Sequence, residues 1–470
     1  MPRVYLLPTS KYSPEVIAVA FAKTSRSPKP FDRTAEELSA ERSAKFHEKW
    51  VIGYGHASVA EHAVVHVAVE GISRVAAEAL ESARLGSFTE KSSRYQRFTP
   101  EEVVIPPEIA GKAAEKAYRE AVETLFGAYG RCVAAVREQV RRTEPPREGE
   151  SEKRWDARIR SRYADVCRFL LPMGVRTNLG LTMNARLLAH TLRKMLSHPL
   201  AEVRQIAEQI LSVAKEEVPT LLKYVGEVEG WQKGAEALRA RAANFRGGGT
   251  YAEDWCHLVS WEPRGEERVL AAMLYRYGNR PYTDYLAYVR GLPREERKTI
   301  AQEVLGVLGE RDVPPRELEY TAYTFDIVID QGGYYEFKRH RMMTQTPQAL
   351  GVGLGYAVPR LAVEAGLEGE YRAAMDAAAR AYEAIAEVSA DAAAYVVPNA
   401  FKRRVLAVLN LREAFHFLRL RAAPNAHFSM RRLAYRMAEE IAAVHPTLAA
   451  FLNLPAGSWE AVEKEHFAAA

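Results

Sequence analysis

Cysteine is scarce in this chain. Cys132, Cys167 and Cys256 are the only three among 470 residues, and they lie far apart. So small and scattered a set excludes a disulfide scaffold, a zinc site and a CxxC redox motif, and it points to a reducing cytoplasm. Long apolar runs are also missing. The start, "MPRVYLLPTSKYSPEV", has no extended hydrophobic core of a signal peptide, and no stretch approaches the length of a membrane span. Nor is there a large excess of one charge. Sixty-five basic and 60 acidic residues leave a formal net charge of +5, and runs such as "RGLPREERKTIAQE" mix both signs. That suggests mild attraction to anionic ligands and argues against a nucleic-acid coat.

What is present is a globular composition, 48% hydrophobic and 27% charged. The length suffices for two cores of ordinary size. Two segments read as loops. One is the charged, Pro- and Gly-broken stretch 141–163. The other is 241–255, with Gly247-Gly248-Gly249 as a flexible joint.

That second joint lies near the middle, and the two sides of it echo each other. "EHAVVHVAVEGISR" (61–74) parallels "EYTAYTFDIVIDQG" (319–332), and both alternate as half-buried strands do. Pro172 and Pro398, Asn184 and Asn410, Arg186 and Arg412, and His190 and His416 are all separated by one common interval. The chain therefore reads as two versions of one domain, 1–240 and 256–470, joined by 241–255. Helical periodicity is expected in 111–142 and 369–396, and in the two Asn-x-Arg-x3-His segments. On one helix face such a segment gathers an amide, a guanidinium and an imidazole. A polar interhelical seam and a ligand pocket are both compatible with that face.

The segment "EFKRHRMMTQTPQALG" (336–351) places Arg339, His340 and Arg341 after an apolar and aromatic stretch. Such a triplet reads either as a solvated face or as an anion clamp built from guanidinium forks. With it the chain resembles the flavin-dependent thymidylate synthases, and each half resembles them separately. The first half carries "GHASVAEHAVVHVAVEGISR", with His56, Ser58, Glu61, His62 and Arg74, and "RLGSFTEKSSRY", with Glu90, Ser92 and Arg94. Where the family has its Arg-His pair, this half reads Ser82-Ala83. The second half keeps the Arg-His-Arg, but Ala349 and Gly351 stand where the family's Ser and Arg belong.

The resemblance implies an α+β fold, with a mainly antiparallel sheet flanked by long helices in each repeat. It implies reductive methylation of dUMP to dTMP, with FAD as flavin, NADPH as reductant and methylenetetrahydrofolate as one-carbon donor. No metal and no protein nucleophile are implied. Arg431, and Arg204 as its counterpart, are the implied catalytic residues beside the pyrimidine. Ser92, Arg94, Glu90 and Glu336 are the implied substrate contacts. Arg339, His340, Arg341, Asn410, Arg412, His416, Asn184, Arg186, His190 and His56 are the implied flavin contacts. Family sites are assembled from several subunits, so two chains are expected to form a homodimer that mimics a tetramer. The complementary losses then read as specialisation of the two repeats.

Structural roles compete with these. His56 and His62 could cap a turn, Arg74 could be a surface pair, Ser92 could hold a turn, and His416 could be a core histidine. Glu336, where the family usually has Gln, also suits an enzyme acting on another pyrimidine nucleotide. The incomplete signatures suit a paralogue that binds nucleotide or flavin without catalysis.

Overall fold

The computed structural model describes residues 2–245, 254–309 and 312–468, so the Gly247–Gly249 joint lies outside the described residues. The chain is α+β with two antiparallel sheets. Strands β1 (Val64–Ser73), β2 (Ser87–Glu90) and β3 (Arg176–Asn184) form the first, in the order β1-β3-β2. Strands β4 (Cys256–Trp261), β5 (Ala322–Asp330), β6 (Thr344–Pro347) and β7 (Lys402–Asn410) form the second, in the order β4-β5-β7-β6.

The two compact units do not follow the two sequence halves. One comprises 1–119, 173–248 and 383–395, and the other 120–172, 249–382 and 396–470. The repeat nevertheless shows in the strand registers. Val64 faces Asn184 across β1 and β3, and Ala322 faces Asn410 across β5 and β7. Ser87 faces Thr182, and Thr344 faces Val408.

Each long strand runs straight into a helix, and a polar side chain makes the corner. Ser73 ends β1 and caps the Arg74–Glu81 helix, its hydroxyl accepting from the Ala76 N–H. Asp330 does the same between β5 and the Gln331–Phe337 helix, accepting from Gly333. Asn184 accepts from Leu187 at the start of the Ala185–Leu196 helix, and Asn410 from Glu413 at the start of Leu411–Ala422. These caps satisfy N–H groups that a helix start leaves without partners. Alternation in β5 sends Tyr323, Phe325, Ile327 and Ile329 into the core of the second unit. In β1, Gly71 adopts a positive φ at the register shift between Val69 and Ile72, and its N–H donates to the Asn178 side-chain oxygen Oδ1.

A second repeated device was not legible in the residue pattern. Glu15 accepts the N–H groups of Thr220 and Leu221, and Glu266 accepts those of Thr447 and Leu448. In each half a carboxylate near the start thus holds a Pro-Thr-Leu turn near the end.

The expected loop at 141–163 is mostly helix. The Ala113–Thr143 helix ends, and Ser151 caps a new helix over Glu152–Cys167. Trp155, Ile159 and Tyr163, spaced along one face, are buried, and Asp156 pairs with Arg137 and Arg160. The charges that suggested a loop are the solvent face of an amphipathic helix.

Replacing Asn184 or Asn410 by Ala is expected to lower stability by about 1 kcal/mol each, while Asp in either place keeps most of it. Urea unfolding of the four variants checks this. An alanine without effect would show that the side-chain caps do not hold these corners.

Candidate functional site

In the second unit, the Leu411–Ala422 helix borders a cavity of ≈ 890 Å³. Asn410, Arg412 and His416 all line it, together with Glu413, Arg419, Leu420 and Met342. Three of the expected flavin contacts are therefore brought together. Asn410 does so while capping its helix. Arg412 donates to the Pro314 carbonyl oxygen at 2.9 Å and pairs with Glu319 at 2.8 Å, which fixes the guanidinium at the wall. His416 is exposed on that wall and is not a core histidine. Arg419 donates to the carbonyl oxygens of Phe451 and Leu452. The size lies within the roughly 300–1,000 Å³ of small-molecule sites. Fixed guanidinium groups, an amide, an imidazole and apolar Leu420 and Met342 suit a large amphiphilic anion such as a flavin nucleotide. The carboxylates on the wall are partnered: Glu319 by Arg412, Glu413 by His340, and Asp312 by the Gly309 N–H.

The basic triplet divides. Arg339 is exposed, Arg341 is half-buried and His340 is buried. Arg421 donates from Nε to His340 Nε2 at 2.9 Å, and His340 Nδ1 lies 3.4 Å from Glu413. A guanidinium can donate only to an imidazole nitrogen with a free lone pair, so His340 is neutral, with its proton on Nδ1. Burial is the main cause that lowers its pKa, with Arg421 acting in the same direction and Glu413 opposing. The triplet therefore presents two cations, not three, and His340 orients Arg421 and Glu413 from within.

Glu336 sits in the same network. Its carboxylate is buried, accepts from Arg421 at 2.8 Å and from the His427 N–H at 3.4 Å. These contacts account for a carboxylate at this position without a substrate. His427 and Phe428 stack at 4.2 Å, and Phe428 stacks on His466 at 5.0 Å, all within the fold. Phe428 is thus a buried ring and not an open platform. Arg431 is half-buried, with one terminal nitrogen 3.4 Å from His466 and a buried Nε that has no partner.

In the first unit, Asn184 caps its helix, and Arg186 pairs with Glu61 at 2.6 Å, repeating the Arg412–Glu319 pair. His190 lines a separate cavity of ≈ 500 Å³. Arg204 donates to the carbonyl oxygens of His198 and Pro199, bracing the turn after the Ala185–Leu196 helix. His56 is exposed, its ring 6.0 Å from Trp50. Ser92 Oγ accepts from the Arg94 N–H, so the hydroxyl holds a turn, and both residues are half-buried. Glu90 points inward, where Arg74 meets it at 2.9 Å with both side chains only 4% exposed. The expected surface pair at Arg74 is a buried one, and Arg74 also donates to the Lys91 carbonyl oxygen. It thereby ties the signature segment to the start of a helix. All three cysteines are buried thiols. Among the described residues no metal-binding cluster occurs, and no helix is long and apolar enough to cross a membrane.

Comparison with known proteins agrees with the repeat. The profile of the thymidylate synthase complementing protein family (Thy1) matches residues 7–220 and 257–447. A UPF0159 protein of Chlamydia muridarum is 31% identical over 438 residues, covering 89% of this chain and 82% of that protein. A UPF0159 protein of Thermoplasma acidophilum is 28% identical, covering 89% and 90%. A flavin-dependent thymidylate synthase of Clostridium tetani is 31% identical over 216 residues, covering 46% of this chain and 83% of its own length. A solved flavin-dependent thymidylate synthase from Helicobacter pylori, complexed with FAD and dUMP, aligns at 18% identity and a TM-score of 0.32. It covers 42% of this chain and 97% of that one.

Two measurements follow from the buried groups. Glu90→Ala removes one partner of a buried ion pair and is expected to cost several kcal/mol, about 3–5, in urea unfolding; a change under about 1 kcal/mol would contradict a buried pair. His340 and His427 both have lowered pKa values, each chiefly through burial. The unfolded chain therefore binds protons near pH 6.5 that the folded one refuses. Their stabilisation is complete above that pH and is lost as pH falls below it. Thermal melts of wild type and His340→Gln from pH 7.5 to 5 are expected to show a shallower decline in the variant; parallel curves would contradict it. The sequence, its two family matches and the repeated strand–helix corners agree: this chain belongs to the thymidylate synthase complementing protein family, as a tandem pair of partly degenerate copies.

Proposed function

We propose that this chain is a flavin-dependent enzyme of the thymidylate synthase type, converting dUMP to dTMP with methylenetetrahydrofolate. The observation that carries the reading is the second unit's cavity, where Asn410, Arg412 and His416 converge. FAD held there would supply the hydride, with NADPH restoring it.

The chain's own residues have simpler tasks. Arg412, locked by Glu319 and the Pro314 carbonyl oxygen, offers a preorganised charge for an anionic ligand. His416 and Asn410 add polar contacts, and Met342 and Leu420 supply apolar surface. Arg339, exposed beyond the buried His340, extends positive charge near this helix–strand turn. In the first repeat, the Arg74–Glu90 pair fixes the segment that presents Ser92 and Arg94 toward a nucleotide phosphate. The complementary retention of motif halves supports different tasks for the two repeats, within a homodimer that mimics the family's tetramer. The protein is then a cytoplasmic flavoprotein of nucleotide biosynthesis. A change of pyrimidine nucleotide no longer has Glu336 in its favour, because Arg421 already engages that carboxylate.

Tritium release from [5-3H]dUMP tests this, with methylenetetrahydrofolate, FAD and NADPH present. Wild type is expected to release tritium only with the complete mixture, and Arg94→Ala to reduce the rate at least about a hundredfold. No release from the complete mixture would overturn the reading.

A further inference from the structure

The two sheets differ at one edge. In the second unit β4 covers the outer edge of β5, with Cys256 facing Ile327 and Leu258 facing Phe325, and all four residues are buried. In the first unit β1 pairs with β3, and among the described residues no strand lies along its other edge. Val64 opposes Asn184 as Ala322 opposes Asn410, so Val67 and Val69 hold the places of Phe325 and Ile327. Val67 is only half-buried, where Phe325 is fully buried. Open edges are usually blunted by Lys, Pro or a bulge. Residues 64–69 read VVHVAV, with neither Lys nor Pro, and the bulge comes only after Val69.

A strand for that edge exists in the sequence. β4 precedes the Gly265–Tyr277 helix, and residues 3–7, RVYLL, precede the repeat-equivalent Pro14–Lys23 helix, in which Glu15 matches Glu266. The side chains of this segment alternate. Arg3 and Tyr5 meet Asp32 at 2.8 and 3.2 Å, and Leu7 packs against a cluster that includes Tyr12 and Val16. Val4 and Leu6, between them, are 98% and 89% exposed. Such alternation is that of a strand with one apolar face still to be covered. Its own β1 does not receive it. The chain turns at Pro8, whose carbonyl oxygen accepts the Lys11 and Tyr12 N–H groups, and Asp32 holds the preceding residues at the Phe31–Glu36 helix.

We propose that residues 3–7 of one chain add a strand to the open edge of β1 in a second copy, which returns the same contact. Val4 then lies opposite Val69 and Leu6 opposite Val67, antiparallel, repeating the Cys256–Ile327 and Leu258–Phe325 pairs. Both apolar side chains leave water, and the edge N–H and C=O groups of β1 gain partners. What is given up is chiefly the exposed Arg3–Asp32 pair, which contributes little. A reciprocal exchange closes on itself, so it yields a dimer and not a filament. The exchange takes up the homodimer of the proposed function and none of its chemistry.

Cross-linking of the full chain tests this, with Leu6→Cys and Val67→Cys combined and a short bis-maleimide applied to the folded protein. Cys132, Cys167 and Cys256 are buried and stay unreacted. The double variant is expected to run as a covalent dimer on a denaturing gel, and neither single variant to do so. A link formed within one chain, or no link, would overturn the proposal. Sedimentation of Val4→Asp/Leu6→Asp gives a second reading. Its dimer dissociation constant should rise about tenfold or more, while the Tm of the diluted monomer stays unchanged because both side chains are exposed in a single chain. An unchanged dissociation constant, or a wild type that stays monomeric at every concentration, would overturn it equally. Neither experiment contains flavin or nucleotide, so failure here is distinct from failure of the tritium release.

Discussion

An asparagine side chain accepting a backbone N–H at the end of a strand is the corner on which each half turns. Asn184 and Asn410 stop β3 and β7 and start the helices that border the two cavities. Two residues further on, Arg186 and Arg412 reach back to Glu61 and Glu319, just ahead of the neighbouring strands. Cap and ion pair together set how each helix leaves its sheet. The residues one or two turns along, His190, Lys194, His416 and Leu420, inherit their positions from that corner. The exposed ion pair contributes little energy alone. At Arg412 its value is directional, because a guanidinium held by two acceptors, Glu319 and the Pro314 carbonyl oxygen, has one orientation left.

Chemistry that a motif suggests for a ligand is in part used inside the fold. His340 is the clearest case, since Arg421 donates to it and so fixes it as neutral. Glu336 and Glu90 each meet an arginine in a buried pair, and such pairs hold only when both partners remain. The buried members act as a frame for the residues that stay accessible, Arg339, Arg412 and His416 among them. A signature can therefore keep its letters while its members divide between scaffold and surface.

The alternation in 64–73 and 322–330 made β1 and β5 legible, and the common interval between the halves made the repeat legible. Helical spacing put Asn410, Arg412 and His416 on one face but left a polar seam and a pocket both open, and the structure shows a cavity there. Other features had no such signal. The helix over Glu152–Cys167 was hidden because its solvent face is densely charged and Pro and Gly precede it. The carboxylate hold of Glu15 on Thr220 and Leu221 joins residues too distant for any local period to reveal. The burial of His340 depends on Arg421, which lies well along the chain and carries no motif of its own. The cavity lined by Lys194 and Trp231 had no signal either, because it exists only once the Glu229–Ala243 helix is in place.

The account rests on a flavin in the second unit's cavity. Equilibrium titration of the full chain with FAD, followed by the change in flavin absorbance and fluorescence, measures that directly. Saturable binding in wild type, weakened about tenfold or more in Arg412→Gln while the fold stays intact, is the result the account predicts. Wild-type protein that does not bind FAD, or an Arg412→Gln variant that binds it equally well, would contradict it.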